Sequence, residues 1–223
     1  MASGLFGRTG VVGDGGFTPS GSPAAWWKAD CDELSALDHS DPIETFPDQV
    51  NNNDLIATGA ARPLYKTNIQ NGLPAVQSDG IAMYMTCDTI VTSQPNTIFL
   101  VAGLLTTHAN EMLYDGIITR QLYYTAGGTF ASYAGGVFDS LVAVDTDPHV
   151  HVNLYKGAAS EIWIDDTQVI GDASTGGIDG LSLFARVTPG QFITMNLFEM
   201  IFYYAEEDPA YNIAGLKAKY AIY

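Results

Sequence analysis

The segment RPLYKTNIQNGLPAVQSDG, residues 62–80, decides how this chain folds. It contains two turn dipeptides, Asn71-Gly72 and Asp79-Gly80, the residue types that supply positive φ in tight β turns. Between them Pro74 sits at a strand start, where a missing N–H is tolerated. Val76 points opposite to Ala75 and Gln77, as the two-residue period of a strand requires. The pattern predicts an ordered loop from residue 62 that feeds a strand and closes in an Asp-Gly turn.

Short β-type segments continue on either side. AAWWK (24–28) precedes an acidic, turn-rich region, and AMYMTC (82–87) follows the Asp-Gly turn. NTIFLVAGL (96–104) is apolar on both faces, as a central strand is. EMLYD, QLYYT and TFASYA come next, punctuated by Gly-Gly pairs. HVHVNLYK (149–156) alternates His and Val, which predicts a half-buried strand with solvent-facing histidines. EIWIDDTQVI (161–170) reads as a hairpin turning at Asp165-Asp166. LSLFAR (181–186) and NLFEMIFYY (196–204) complete the strands. The tail predicts one helix. Asp208 is its N-cap and Pro209 its first residue, with Ile213, Leu216 and Tyr220 on one face and Lys217 and Lys219 near the negative end of the dipole. Many short strands and one terminal helix specify an all-β fold, a two-sheet antiparallel jelly-roll sandwich.

Composition sets outer limits. A chain of 223 residues with 47% hydrophobic residues can build one sandwich core. Twenty-five acids against 9 bases leave a net charge of -16. That argues against nucleic acid, whose phosphates need Lys and Arg, and against anionic membrane surfaces. No apolar run approaches the ~20 residues of a membrane helix. Cys31 and Cys87 are read as buried free thiols. The first residues lack a basic start and apolar block and do not read as a secretion signal, so either an export signal has been removed or the protein is made and assembled in the cytoplasm, and the initiator Met favours the second expectation. Residues 1–23 hold seven glycines and end in TPSGSP, which predicts an extended arm and linker before a domain spanning 24–223.

Five stretches carry a family resemblance: WKAD (27–30), FPDQVNNNDLIA (46–57), the segment 62–80, HVNLYKGAASEIWIDD (151–166) and FEMIFYYAEEDPAYNIAGLKAKYAI (198–222). In this order they resemble the concanavalin A-like, laminin-G-like jelly rolls of bacterial and phage surface proteins. Phe46 stands for the usual Trp, Val50-Asn51 for Ser-Gly and Asp166 for Gly. LFGRTGVVGDGGF (5–17) resembles the Phe-Gly-Arg-Thr-Gly element near the N-terminus of phage virion proteins. Together these resemblances imply a virion structural protein of the capsid decoration or head-fibre type. Leu5, Phe6, Gly7, Arg8, Thr9 and Gly10 would anchor it to a major capsid protein or other virion protein. The jelly roll would project from the virion surface as a homo-oligomer, with a trimer preferred, and adhesion to a host-surface glycan is compatible with that role. A lectin-like carbohydrate-binding module is the second reading and a glycoside hydrolase the third, because this fold hosts all of these activities.

Four groups of residues bear on chemistry or binding. Glu161 and Asp165 share a strand face, as the acids of jelly-roll glucanases do, but Trp163 occupies the position of the intervening acid. No catalytic residue is therefore assigned, and the chain is read as not being an enzyme. Residues 30–54 are rich in acids with no Lys or Arg. If calcium binds, Asp48, Asn51 and Asp54 are its first candidate ligands, and no other cofactor is indicated. His149 and His151 could pair on a transition metal only with further ligands. The aromatic runs QLYYT, TFASYAGGVF and the final FYY suit core packing, subunit interfaces or a glycan-stacking face.

Overall fold

A computed structural model describes residues 16–118, 120–186 and 190–223. In chain order its early strands are β1 (Ala25–Lys28), β2 (Thr45–Phe46), β3 (Leu55–Ile56), β4 (Leu64–Gln70), β5 (Leu73–Gln77) and β6 (Met85–Thr92). The middle of the chain forms β7 (Asn96–Leu104), β8 (Met112–Asp115), β9 (Leu122–Ala126), β10 (Thr129–Tyr133) and β11 (Val137–Ala143). The set ends with β12 (Pro148–Tyr155), β13 (Ser160–Ile164), β14 (Thr167–Gly171), β15 (Ile178–Leu183) and β16 (Met195–Tyr203), followed by helix α1 (Pro209–Tyr220).

The strands form two antiparallel sheets, the sandwich that the hydrophobic pattern predicts. One runs β14-β13-β12-β7-β16-β5-β4, with β1 pairing the second half of β16 beside β5. The other runs β11-β10-β9-β8-β15-β6-β3-β2. Their facing sides bury Trp27, Leu100, Met200 and Phe202 against Phe46, Tyr114, Tyr123, Phe130 and Leu183. A second core lies outside the first sheet. There Ile213, Leu216 and Tyr220 of α1 cover Phe99, Val101, Val150, Val152 and Phe198. All nine residues of β7 are buried, because it lies between β12 and β16 and is covered on both faces. Fully burying each large apolar side chain contributes about 1.5–3 kcal/mol.

Within 62–80 the strand arrives earlier than the sequence predicts. Residues 64–70 form β4, which pairs with β5 as a hairpin across Asn71 (φ 50°) and Gly72 (φ 76°). Tyr65 goes inward to the core, which supplies the reason for a strand where polar residues suggest a loop. The same turn also serves the helix. Gln70 Nε2 and Asn71 Nδ2 donate to the carbonyls of Tyr220 and Lys219, both at 2.8 Å. These amides satisfy carbonyls that the helix end leaves open. Asp79 Oδ1 accepts the N–H groups of Ile81, Ala82 and Met83 at 2.9–3.1 Å. Gly80 then turns at φ 70°, where an added β-carbon would sit 2.1 Å from Thr194 Oγ1.

Residues 16–23, assigned to the linker, are instead packed on the domain. Phe17 is 7% exposed and lies so close over Gly215 of α1 that a β-carbon there would come within 2.4 Å of its ring. Ser20 N–H donates to Asn212 Oδ1 at 2.9 Å, and Tyr203 OH donates to Ser20 O at 2.8 Å. An aromatic side chain and three hydrogen bonds of Ser20 hold this strap, which a glycine count does not register.

Helix α1 starts as predicted, with the Asp208 carboxylate accepting from Ala210 N–H at 3.0 Å. Lys219 behaves differently from a dipole-facing surface lysine. It is 4% exposed, and its Nζ lies 2.9 Å from Glu199 and 3.0 Å from Asp30. Glu199 is on β16, where the register shifts between Leu197 and Glu199 against β7. That bulge directs both Phe198 and Glu199 toward the helix. Glu199 also accepts from Trp26 Nε1 at 2.5 Å and Tyr220 OH at 2.9 Å. Burial pushes its carboxyl up, against the pull of Lys219.

Two stability changes are expected. Gly80→Ala should destabilise the chain by about 1–3 kcal/mol in urea denaturation, from the Thr194 clash and the positive φ. Lys219→Met should cost about 3–5 kcal/mol at neutral pH by leaving Glu199 unpaired, and adding Glu199→Gln should recover part of that loss.

Candidate functional site

The residues singled out by sequence fall in different places. Leu5, Phe6, Gly7, Arg8, Thr9 and Gly10 lie outside the described residues. Asp48 is a backbone hub. Its Oδ1 accepts from Trp26 and Val50 N–H at 2.8 and 3.1 Å, and its Oδ2 from Asn51 and Asn53 at 3.1 and 3.2 Å. Asp54 Oδ1 accepts Asp48 N–H at 2.8 Å, and Asn51 Nδ2 donates to Ala24 O at 2.8 Å. These contacts fold the loop 48–54 against β1. Among the described residues no group of three or more His, Cys, Asp or Glu is gathered as a metal cage.

Glu161 and Asp165 are engaged separately. Glu161 Oε2 accepts from Trp163 Nε1 and Gln168 Nε2 at 2.8 and 2.9 Å. Asp165 occupies the hairpin turn (φ 51°) and reaches His149 Nδ1 at 2.6 Å. The two histidines differ from the solvent-facing prediction. His151 is 1% exposed, packed on Phe130 (4.8 Å between ring centroids) and 2.9 Å from Tyr123 OH. Both faces of β12 are covered, so the alternation of His and Val separates two cores rather than core from water. His149 lies between Asp165 and Asp145 (2.9 Å). Its hydrogen bond to Asp165, reinforced by Asp145, raises its pKa to about 9, against the opposing effect of burial. Burial, with the charge of His149 beside it, lowers that of His151 to about 3.

The aromatic runs divide. Tyr123 and Phe130 are core residues stacked at 5.7 Å. In the final FYY, Phe202 is buried, whereas Tyr204 is 46% exposed and meets the Phe202 ring edge-on at 5.6 Å. Tyr204 borders a cleft of about 510 Å³, with Ser22, Asn51, Asn53, Tyr203 and Glu207 among its lining residues. Each wall has an identifiable support. Asp48 sets the Asn51–Asn53 loop, and Asn53 Nδ2 also donates to Ala24 O at 2.9 Å. Thr97, buried on β7, donates through Oγ1 to Ala205 O (2.9 Å) and accepts Glu207 N–H (3.0 Å). Ser20 of the strap donates to Glu207 Oε1 at 2.5 Å. A second cleft of about 470 Å³, lined by Asn52, Asp54, Thr86 and Asp88 among others, lies on the other side of the same Asn-rich loop. The FYY run is compatible with core, interface or glycan-stacking use, and the structure divides it between a buried Phe202 and a half-exposed Tyr204. Asn53 carried no signal for this site, since it reaches Tyr204 from a segment more than a hundred residues away in the chain, and Glu207, although only three residues after Tyr204, has no local pattern that marks it as a ligand group.

An exposed phenol ring flanked by amides and one carboxylate has the chemistry to stack on a sugar ring and hydrogen-bond its hydroxyls. No protein-family model and no curated protein sequence matches the chain. Its fold is similar to solved structures. A Trypanosoma rangeli sialidase in complex with sialic acid superposes over 92% of this chain and 34% of its own length (TM-score 0.62, 9% identity). Domain 4 of an extracellular arabinanase from Geobacillus stearothermophilus, in complex with arabinotriose, matches 72% of this chain and 82% of its own (TM-score 0.54, 13% identity). The chain therefore spans about a third of the sialidase. These similarities are to carbohydrate-active β sandwiches and do not support a virion origin. They also correct the reading that the chain is not an enzyme, because its structural neighbours include sialidases. The physical reason is that the missing acid of the Glu161 strand excludes one catalytic constellation only.

The histidine pair predicts a pH optimum of stability. His149, raised above its unfolded value, contributes stability that is complete below pH 6.5 and lost as pH rises through about 9. His151, depressed, withholds a proton that the unfolded chain takes up, so stability falls as pH drops from 6.5 toward 3. Denaturation at about pH 5, 6.5 and 9 should show a maximum near the middle value. His149→Gln should remove the alkaline decline, about 2 kcal/mol.

Proposed function

We propose that this chain is a carbohydrate-binding β sandwich whose ligand site is the cleft beside Tyr204. The observation that carries this reading is the half-exposed Tyr204 ring set between the Asn51–Asn53 loop and Glu207. Each part has a distinct role. The ring offers an apolar face for the C–H side of a sugar, and Phe202 holds that ring from beneath. The amides and carboxylate are directional partners for hydroxyl groups, and their backbone supports position them before a ligand arrives. The structural neighbours solved with sialic acid and with arabinotriose support a saccharide as the ligand type.

Glycan-array screening of the full chain, followed by calorimetric titration of the best ligand, tests the proposal. Tyr204→Ala should weaken binding about 3- to 10-fold, the range of an aromatic contact, while leaving the melting temperature close to that of the parent. A blank array from correctly folded protein would overturn the reading.

A further inference from the structure

The chemistry of the cleft narrows the saccharide it would take. Glu207 is the single charged side chain among its described lining residues, and no Lys or Arg is among them. Lys156, the cation that reaches the adjoining turn, is held by Glu206 at 2.7 Å. Asn51 and Asn53 each spend one of their two amide N–H bonds on Ala24 O, and Asn53 Oδ1 accepts from Thr89 Oγ1 at 2.6 Å. Ser20 fills Glu207 Oε1, while Oε2 lies against Gly21, 3.0 Å from where a β-carbon would stand. Glu207 Oε2 and Asn51 Oδ1 offer a ligand one charged and one neutral acceptor, and the donors on the lining, the second amide N–H of Asn51 and of Asn53 and the Ser22 and Tyr204 hydroxyls, are all uncharged. The chain around them carries a net charge of -16.

We infer that the cleft selects neutral, hydroxyl-rich saccharides and rejects acidic ones, an inference that rests on the carbohydrate-binding reading above. A sugar hydroxyl donates to the Glu207 carboxylate in a charge-assisted hydrogen bond, stronger than one to a neutral acceptor. A sugar carboxylate in the same place meets Glu207 at a few ångströms with no counter-cation. That separation is well inside the ~8 Å Debye length at physiological salt, so screening does not remove the repulsion. The site therefore differs in selectivity from a sialic-acid site even though the sialidase is a structural neighbour. Gly21 belongs to this selectivity. At φ 62° and in contact distance of the carboxylate, it lets the strap wall close on Glu207 without displacing it.

The test titrates the full chain, by calorimetry and by NMR shift mapping, with arabinotriose and lactose as neutral probes. The methyl glycoside of sialic acid is the acidic probe, and its methyl ester is the same sugar without the charge. The expected result is binding of at least one neutral probe, at least tenfold preference for the ester over the acid, and shifts at Tyr204 and Glu207. Glu207→Gln keeps an acceptor for Ser20 and should weaken neutral binding about tenfold while narrowing the gap between ester and acid. Tyr204→Ala supplies an independent loss of neutral binding. Preferential binding of the acid would overturn the inference and leave carbohydrate binding standing. Neutral binding unaffected by both variants would overturn the assignment to this cleft. No binding by any saccharide, together with a blank array, would overturn the function itself.

Discussion

A carboxylate buried on the outer face of a central strand governs much of this architecture. Glu199 on β16 is fully buried, and an ionised carboxylate in that position requires compensating partners. Lys219, Tyr220 and Trp26 supply them, and Asp30 holds the other side of the ammonium. Burial alone pulls a lysine pKa down, but the two carboxylates outweigh it, and Lys219 is raised. One ion pair thus sets where α1 sits along the sheet. Apolar contacts under the helix are non-directional and would tolerate sliding, whereas the charge contacts specify a position.

That position propagates to the cleft. With α1 docked, its Asp208 cap and the preceding turn are fixed at one end, and Gln70 and Asn71 close the other. Thr97 ties the same turn to β7, so Glu207 is held from two directions. The strap at Phe17 lies across Gly215 and delivers Ser20 to Glu207. On the opposite wall Asp48 gathers four N–H groups and links the Asn-rich loop to Trp26, the same residue whose indole reaches Glu199. Both walls of the cleft therefore lead back to one buried polar assembly. The candidate ligand groups stand on supported backbone even though they lie in loops.

Much of the fold was legible because it depends on local repeats. The two-sided apolar run 96–104, the turn dipeptides at 71–72 and 79–80, and the Asp208-Pro209 helix start each have a physical signature within a few residues. The readings that failed share a cause. Tyr65 within a polar segment, His151 within a strand of apparent half-burial, Phe17 within a glycine-rich arm and Lys219 at a helix end all took their environment from distant residues. A period of two reports that successive side chains face opposite ways, and it is silent on whether both sides are covered. Glycine content reports backbone freedom and is silent on a single aromatic anchor.

By itself the sequence determined the strand-and-turn alternation, the terminal helix, the excess of acidic groups and hence an all-β sandwich with an acidic surface. Hydrophobic period, turn chemistry and net charge are additive properties of neighbouring residues, so they survive without coordinates. Only the tertiary structure decided that Tyr204, the Asn51–Asn53 loop, Glu207 and the strap share one cleft, and that Glu199 and Lys219 meet inside. Those juxtapositions arise from chain closure across roughly the whole molecule, where a one-residue bulge at Phe198–Glu199 is enough to direct a carboxylate outward to the helix instead of into the sandwich.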